Sequence, residues 1–336
     1  MNGIDRVPTV SYLISEAIGL EMDRDEKIIV LGEDVGAMGG VFHCTRGLKD
    51  RFGEWRVRDT PIAEMGFVGM GVGLAMAGYR PVVEIMFADF VTVCLEQIVN
   101  AMAKIPYMSG GRMRMPMVVR TAGGSIGSAA QHSQCLWGML AHWPGLKVVA
   151  PSCPADYRGL ITAAIRSDDP IVIIEHKSQL NTKCDRFVRS DIGPEGPYVL
   201  PIGKASVARE GTDVTIVAIS AAVEWALEAA ADAAMNGINA EVIDLRSLVP
   251  MDMDTVLKSV AKTGRLLVVD EDFKSFGMSG EVVARTVEGL RPGELRQVHR
   301  LCMPDVPLPA AKTLEDAVMP GRGAIEAALS QMAKAR

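Results

Sequence analysis

The stretch DTPIAEMGFVGMGVG, Asp59 to Gly73, sets one carboxylate, Glu64, in a run that is otherwise apolar and glycine-rich. A carboxylate beside Met65, Gly66 and Phe67 is poorly hydrated wherever that run is buried, and desolvation favours its protonated form. Two uses fit. One is a helix N-terminus, where the dipole favours an acid. The other is a carboxyl that holds and releases a proton. Two more acids, Glu33 and Asp34, follow the apolar run Ile28 to Leu31 in KIIVLGEDVG. They serve either a solvated strand exit or a ligand at the carboxyl edge of a sheet. His132 and Ser133 are adjacent, with Cys135 close by, and form the remaining candidate for nucleophile-and-base chemistry.

Three function classes compete for these residues. Gly66, Gly69, Gly71 and Gly73 resemble a dinucleotide-binding glycine fingerprint, with Glu84 further on. That fingerprint must follow directly on an apolar strand, whereas RVRDTPIAEM with its Pro61 precedes it here. Tight packing of a helix on a sheet is the better use of the glycines. A hydrolase triad lacks its GxSxG elbow, and neighbours in sequence rarely form a nucleophile–base pair. A non-catalytic α/β scaffold subunit is compatible with the composition, and would bind no cofactor with any partner.

The elements that must position these residues alternate. Residues 8–23 put Val10, Leu13, Ile14, Ala17 and Leu20 on one helical face, with Thr9 as N-cap. Short apolar runs at Ile28 to Leu31, Arg80 to Phe87, PMVVRTAGG, LKVVAPS and PIVIIEHK read as strands buried on both faces. Helices are expected near Leu48 to Phe52, over Gly66 to Ala77, from Phe90 to Lys104 and along PADYRGLITAAIRSDDP. A second series follows: TDVTIVAIS, INAEVIDLRSLVP and RLLVVDED as strands, AAVEWALEAAADAAMNG, MDMDTVLKSVAKTG and SGEVVARTVEGL as helices. The pattern predicts two three-layer α/β/α domains with mainly parallel sheets, over 5–180 and 205–336, joined by a Pro- and Gly-rich linker over 181–204.

Composition narrows the partners. The net charge of −6 argues against a nucleic-acid or anionic-membrane surface. The charged N-terminal residues do not read as a signal peptide, and no run of about 18 apolar residues suggests a membrane span. The six cysteines form no CxxC pair, so neither a zinc site nor a disulfide frame is expected, and a reducing, cytoplasmic setting fits.

Several long motifs in order carry a resemblance. They are LGEDVG with GGVF, RVRDTPIAEMGFVGMGVGLAMAGYRPVVEIMFADF, QIVNAMAKIPYMSGG, AAQHSQ and HWPGLKVVAPS, then EVIDLRSLVPMD, KTGRLLVVDE and PDVPLP. From about residue 8 to about 330 the chain resembles the beta subunits of the thiamine-diphosphate-dependent first component of 2-oxoacid dehydrogenase complexes. These are transketolase-like proteins of pyruvate, branched-chain and acetoin type. The resemblance implies a pyrimidine-binding domain and a transketolase C-terminal-like domain.

It further implies that Glu64 touches the aminopyrimidine ring and shares the proton needed for cofactor activation. Phe90 would pack on that ring and Met86 would line the same pocket. Glu33 would stand near a water-filled path linking two active sites. His132 would face the substrate and assist acyl transfer to lipoamide, while His142 is structural. A monovalent cation such as potassium would sit near Met117, Ala164, Ile165, Ser167 and Asp169, where Ser167 replaces an acid of some relatives. The chain has no GDG motif. The diphosphate and Mg²⁺ would therefore be held by a separate alpha subunit in an α₂β₂ heterotetramer. The other implied partners are a lipoyl acyltransferase component and a 2-oxo acid or acetoin as substrate, with MFADFVTVCLEQIVNAMAK leaning toward the acetoin type. The run His176–Asn181 departs from the HKxLY pattern of many relatives.

Overall fold

The structure is a computed structural model and describes residues 7–187, 189 and 199–334. Six strands come from the N-terminal half: β1 (Ile28–Gly32), β2 (Val57–Asp59), β3 (Arg80–Ile85), β4 (Val118–Gly123), β5 (Lys147–Val149) and β6 (Ile171–His176). Six follow: β7 (Ser206–Arg209), β8 (Val214–Ala218), β9 (Ala240–Asp244), β10 (Ser247–Val249), β11 (Arg265–Phe273) and β12 (Gln297–Met303). One sheet has the order β10-β5-β6-β4-β3-β1-β2, the other β12-β11-β8-β9-β7. Both are parallel except at one edge, where β10 and β7 run antiparallel. The expected α/β class with two mainly parallel sheets is what the chain adopts.

Every residue of β1, β4 and β6 is buried, because helices cover both faces of the first sheet. One face carries Val10, Ile14 and Ile18 of the helix Val10–Arg24 with Tyr157, Leu160 and Ile161 of the helix Pro154–Arg166. Thr9 caps the first of these helices, its hydroxyl accepting from Tyr12 N. The other face carries Phe67, Val68 and Val72 of the helix Glu64–Met76, and the same core runs on to Ile219, Ile243 and Leu245 beside the second sheet. The outer face of the second sheet packs on the helices Ala222–Met235 and Arg322–Lys334.

Two elements depart from the sequence reading. EVIDLRSLVP is not one strand. Arg246 takes a left-handed conformation (φ 54°), which turns the chain out of the second sheet and delivers β10 to the first. The helix expected from Phe90 to Lys104 is instead a 3₁₀ segment Ala88–Cys94, a π-turn Gln97–Met102 and a short α-turn Ile105–Met108. Thr92 helps to tighten the first segment, its hydroxyl donating to the Asp89 carbonyl at 2.9 Å.

A buried polar seam joins the sheets. Ser152 Oγ lies 2.9 Å from Asp156 Oδ2 and 2.6 Å from Asp244 Oδ2, with one hydroxyl proton to serve the two. Arg189 pairs with Asp244 and lies 3.5 Å from Asp156. Arg246 Nε lies 2.8 Å from Asp156 Oδ1. Arg189 is thus the buried foothold of the segment expected to be a linker; its Gly193, Pro194, Gly196 and Pro197 lie outside the described residues. Among the described residues no helix is long and apolar enough to cross a membrane.

Candidate active site

Because β1, β3, β4 and β6 are parallel, the residues that follow them meet at one edge of the first sheet. Glu33 follows β1, Met86 to Phe90 follow β3, the loop with His132 follows β4, and Lys177 follows β6. Glu64 joins them as the first residue of its helix, which packs against the 3₁₀ segment that follows β3.

Glu64 is half-buried, more open than its apolar neighbourhood in sequence suggests, and no side chain caps its helix. The helix dipole therefore acts on this carboxylate directly. Of the four glycines in the run, Gly71 presses on the sheet: a Cβ there would come within 2.8 Å of Val83 and Met117 side-chain atoms. Gly73 faces open space. Glu33 is buried, and its Oε1 has no hydrogen-bond partner. Burial pushes its carboxyl pKa up, and the negative charges of Glu64 and then Asp34 push it further. Cys94 is also enclosed; burial, then Glu64, drives its thiol up to about 12, so it stays neutral. Asp59 braces the loop after β1 by accepting from Gly36 N at 2.6 Å and Ala37 N at 3.3 Å.

The 3₁₀ turn explains the aromatic side of the edge. With three residues per turn, Phe87 and Phe90 stack in register, and their rings meet edge-on at 5.5 Å. His132 completes the cluster, 5.0 Å from Phe87 and 5.4 Å from Phe90. The structure thus brings together Phe90 and His132, which lie far apart in sequence. Met86 instead lines a small cavity with Phe42, Cys44, Glu84, Arg120 and Glu175. There Arg120 is fully buried and bonds Glu175 at 2.7 and 2.8 Å and Glu84 at 2.7 Å. His142 stands apart from the cluster, edge-on to Trp143.

The loop bearing His132 is strapped from several sides by residues that motif reading did not single out. Ser125 N donates to Glu271 at 2.7 Å, Gly127 N to Glu315 at 2.9 Å, and Gln134 to Asp89 at 2.8 Å. Glu271 also meets His176 at 2.6 Å. Gly124 is obligatory at the loop's start: it holds φ 89°, and a Cβ would lie 2.1 Å from the His176 ring. The signal for these straps was present only as buried-side polar residues at strand ends, such as Lys177 after IVIIEH and the acids of VVDED.

The five residues expected around a monovalent cation come together, yet their donors are engaged within the chain. Met117 O accepts from Ile171 N and Ala164 O from Ser167 N. Ile165 O and Ser167 O both accept from the Arg80 guanidinium, which also bonds Asp168 at 2.9 Å. Asp169 pairs with Lys147 at 2.6 Å. A guanidinium thus stands against the carbonyls that a potassium ion was expected to use, and this set does not fit the ion. Among the described residues no group of three or more His, Cys, Asp or Glu is arranged to hold a metal.

Residues 7–183 match the transketolase pyrimidine-binding domain and residues 203–325 the transketolase C-terminal domain. The 2-oxoisovalerate dehydrogenase subunit beta of Bacillus subtilis (strain 168) is 42% identical, over 97% of this chain and 99% of its own. The acetoin:2,6-dichlorophenolindophenol oxidoreductase subunit beta of Cupriavidus necator is also 42% identical, over 97% of both chains. Among solved structures, a split-gene transketolase described as an inactive beta4 tetramer superposes with a TM-score of 0.79. It is 22% identical and covers 96% of this chain and 97% of its own, a likeness of fold.

Proposed function

The chain belongs to the transketolase-like family of 2-oxoacid and acetoin dehydrogenase beta subunits, and from that membership we propose that it forms the pyrimidine side of a thiamine-diphosphate site shared with an alpha subunit. The enzyme is an oxidoreductase that decarboxylates a 2-oxo acid and passes the acyl group to lipoamide. Bound at such a site, thiamine diphosphate supplies the nucleophilic carbon and the electron sink for breaking the bond beside a carbonyl.

The observation that carries the reading is the buried Glu33, whose carboxyl is held toward its protonated form beside Glu64. Burial, then the negative charges of Glu64 and Asp34, favours a proton on Glu33. The pair Glu33 and Glu64 suits a group whose ring nitrogen must be protonated and released. Glu64 would hold that nitrogen, assisted by the helix dipole. Phe90 would pack on the ring, and the buried thiol of Cys94 would add apolar wall rather than a nucleophile. His132, edge-on to Phe87 and Phe90, would donate toward the oxygen of the substrate. Met86 supports this edge from behind, through its cavity with Arg120.

The diphosphate and Mg²⁺ belong, in this reading, to the alpha subunit of an α₂β₂ assembly, with a lipoyl acyltransferase as the next partner and the cytoplasm as the setting. Potassium forms no part of it, because Arg80 already brings a positive charge to the carbonyls concerned.

Acetoin is the second substrate reading, supported by a relative of that type as similar as the 2-oxoisovalerate relative. The test is co-expression with an alpha subunit and dye reduction with pyruvate, branched-chain 2-oxo acids and acetoin. Turnover with one of them that requires thiamine diphosphate and Mg²⁺ is expected. Tight Mg²⁺-dependent cofactor binding by the isolated chain would overturn the division of labour, and no binding in any assembly would favour a scaffold.

A further inference from the structure

β6 lies beside β4 with His176 paired to Gly123, so the residue after β6 sits under the loop that leaves β4. That residue is Lys177. Its side chain is only 3% exposed, and among the described residues no carboxylate lies within ion-pair distance of it. A buried ammonium without an ion pair is costly and needs a use. Here its Nζ donates to the backbone carbonyl of His132 and stands 5.4 Å from the centre of the Phe87 ring. Phe87 in turn meets the His132 imidazole edge-on.

We propose that Lys177 is a positioning residue for His132, gripping its peptide carbonyl while sitting over the ring that its imidazole leans on. The other straps hold the loop elsewhere, at Ser125, Gly127 and Gln134. Lys177 reaches the peptide of His132 itself. The loop needs such a grip because it contains two non-glycine residues in left-handed conformations, Ala129 (φ 60°) and Leu136 (φ 54°). A cation suits the place: it strengthens a hydrogen bond to a carbonyl and is attracted to an aromatic ring. Burial draws the lysine's pKa down, opposed by Asp89, Cys135, Glu271 and Glu315.

The inference rests on the reading that His132 works on the substrate, and the experiment separates the two. In the co-expressed complex, Lys177→Met should lower kcat for acyl transfer about 10- to 100-fold, with KM changed less than about twofold. Tm should hold, because the other straps remain. Lys177→Arg should recover part of the rate. Hydrogen exchange of the peptide around His132 should quicken in the Met variant and not in the Arg variant. The double variant Lys177→Met/His132→Ala should be no slower than His132→Ala alone, since Lys177 acts through that ring. Additive losses, or a fall in Tm with kcat and KM both impaired and no recovery by Arg, would make Lys177 a structural lysine and overturn the proposal. Wild-type acyl transfer in His132→Ala would overturn the role of His132 itself, and this inference with it.

Discussion

At the seam between the sheets, Asp156 and Asp244 lie together with two guanidiniums against them; at the edge of the first sheet, Glu33 and Glu64 lie within electrostatic reach of each other with no ion pair among the described residues. Both sites bury carboxylates. At the seam, burial and Asp244 push Asp156 up to about 7, while Arg246 and Arg189 pull it back. At the edge, burial, Glu64 and Asp34 all push Glu33 the same way, with nothing opposing them. A paired buried acid holds a structure in register. An unpaired one, next to another acid and with an oxygen left without a partner, is a candidate for functional chemistry.

The sharpest way to break this contrast is Glu64→Gln. The amide keeps the shape and removes the acid. Activity of the assembled enzyme should fall about 10²- to 10⁴-fold, the usual weight of one general acid–base group, with Tm unchanged. Retention of more than about a tenth of the activity would show that the edge pair stores no useful proton. The seam should respond in the opposite way. Arg246→Met strips Asp156 and Asp244 of one guanidinium and should cost about 3–5 kcal/mol of stability, read as a large drop in Tm. The protein that remains folded should keep its kcat.

Arg80 extends the seam logic to the end of the helix Pro154–Arg166. Its guanidinium meets Ile165 O, Ser167 O and Asp168, where the helix dipole is negative. Arg80→Met should cost about 1–3 kcal/mol, since two carbonyls lose a charged donor. Tm of the wild-type protein should be equal in potassium chloride and choline chloride at matched ionic strength. A rise of several degrees specific to potassium would show that an ion, rather than the arginine, satisfies these carbonyls.

The edge was more legible in sequence than the seam. Glu64 announces itself by standing alone in an apolar, glycine-rich run and Glu33 by closing an apolar strand beside Asp34, and their motifs carry the resemblance. The strands with unbroken apolar runs, such as β4 and β6, could be read because both faces are buried. β12 could not: Gln297, Val298 and His299 at a sheet edge are half-buried or exposed, and the run has no period. β10 was merged with β9 because no glycine, asparagine or proline marks the left-handed turn at Arg246. The 3₁₀ and π turns after β3 escaped because Phe90 to Lys104 keeps ordinary helical spacing of apolar residues, and tertiary packing overrode it. Arg189, Arg120 and Lys177 look like surface cations in one dimension; their burial follows only from which strands end beside them.

Glu33→Gln probes the edge pair most gently. Its folded carboxyl pKa lies above the ordinary 4.5. The folded state therefore binds this proton more tightly than the unfolded chain does. On the acid side of both values the group is protonated in either state and the difference disappears. As pH rises through the window above 4.5, the unfolded carboxyl ionises first and the folded state loses stability relative to it. Gln mimics the protonated form at every pH. The variant should thus match the wild type in Tm at acid pH and exceed it modestly at neutral pH, with activity reduced less than in Glu64→Gln. A Tm gap that is absent at neutral pH, or that grows toward acid, would mean that Glu33 has a counter-charge in solution and that the edge pair is built like the seam.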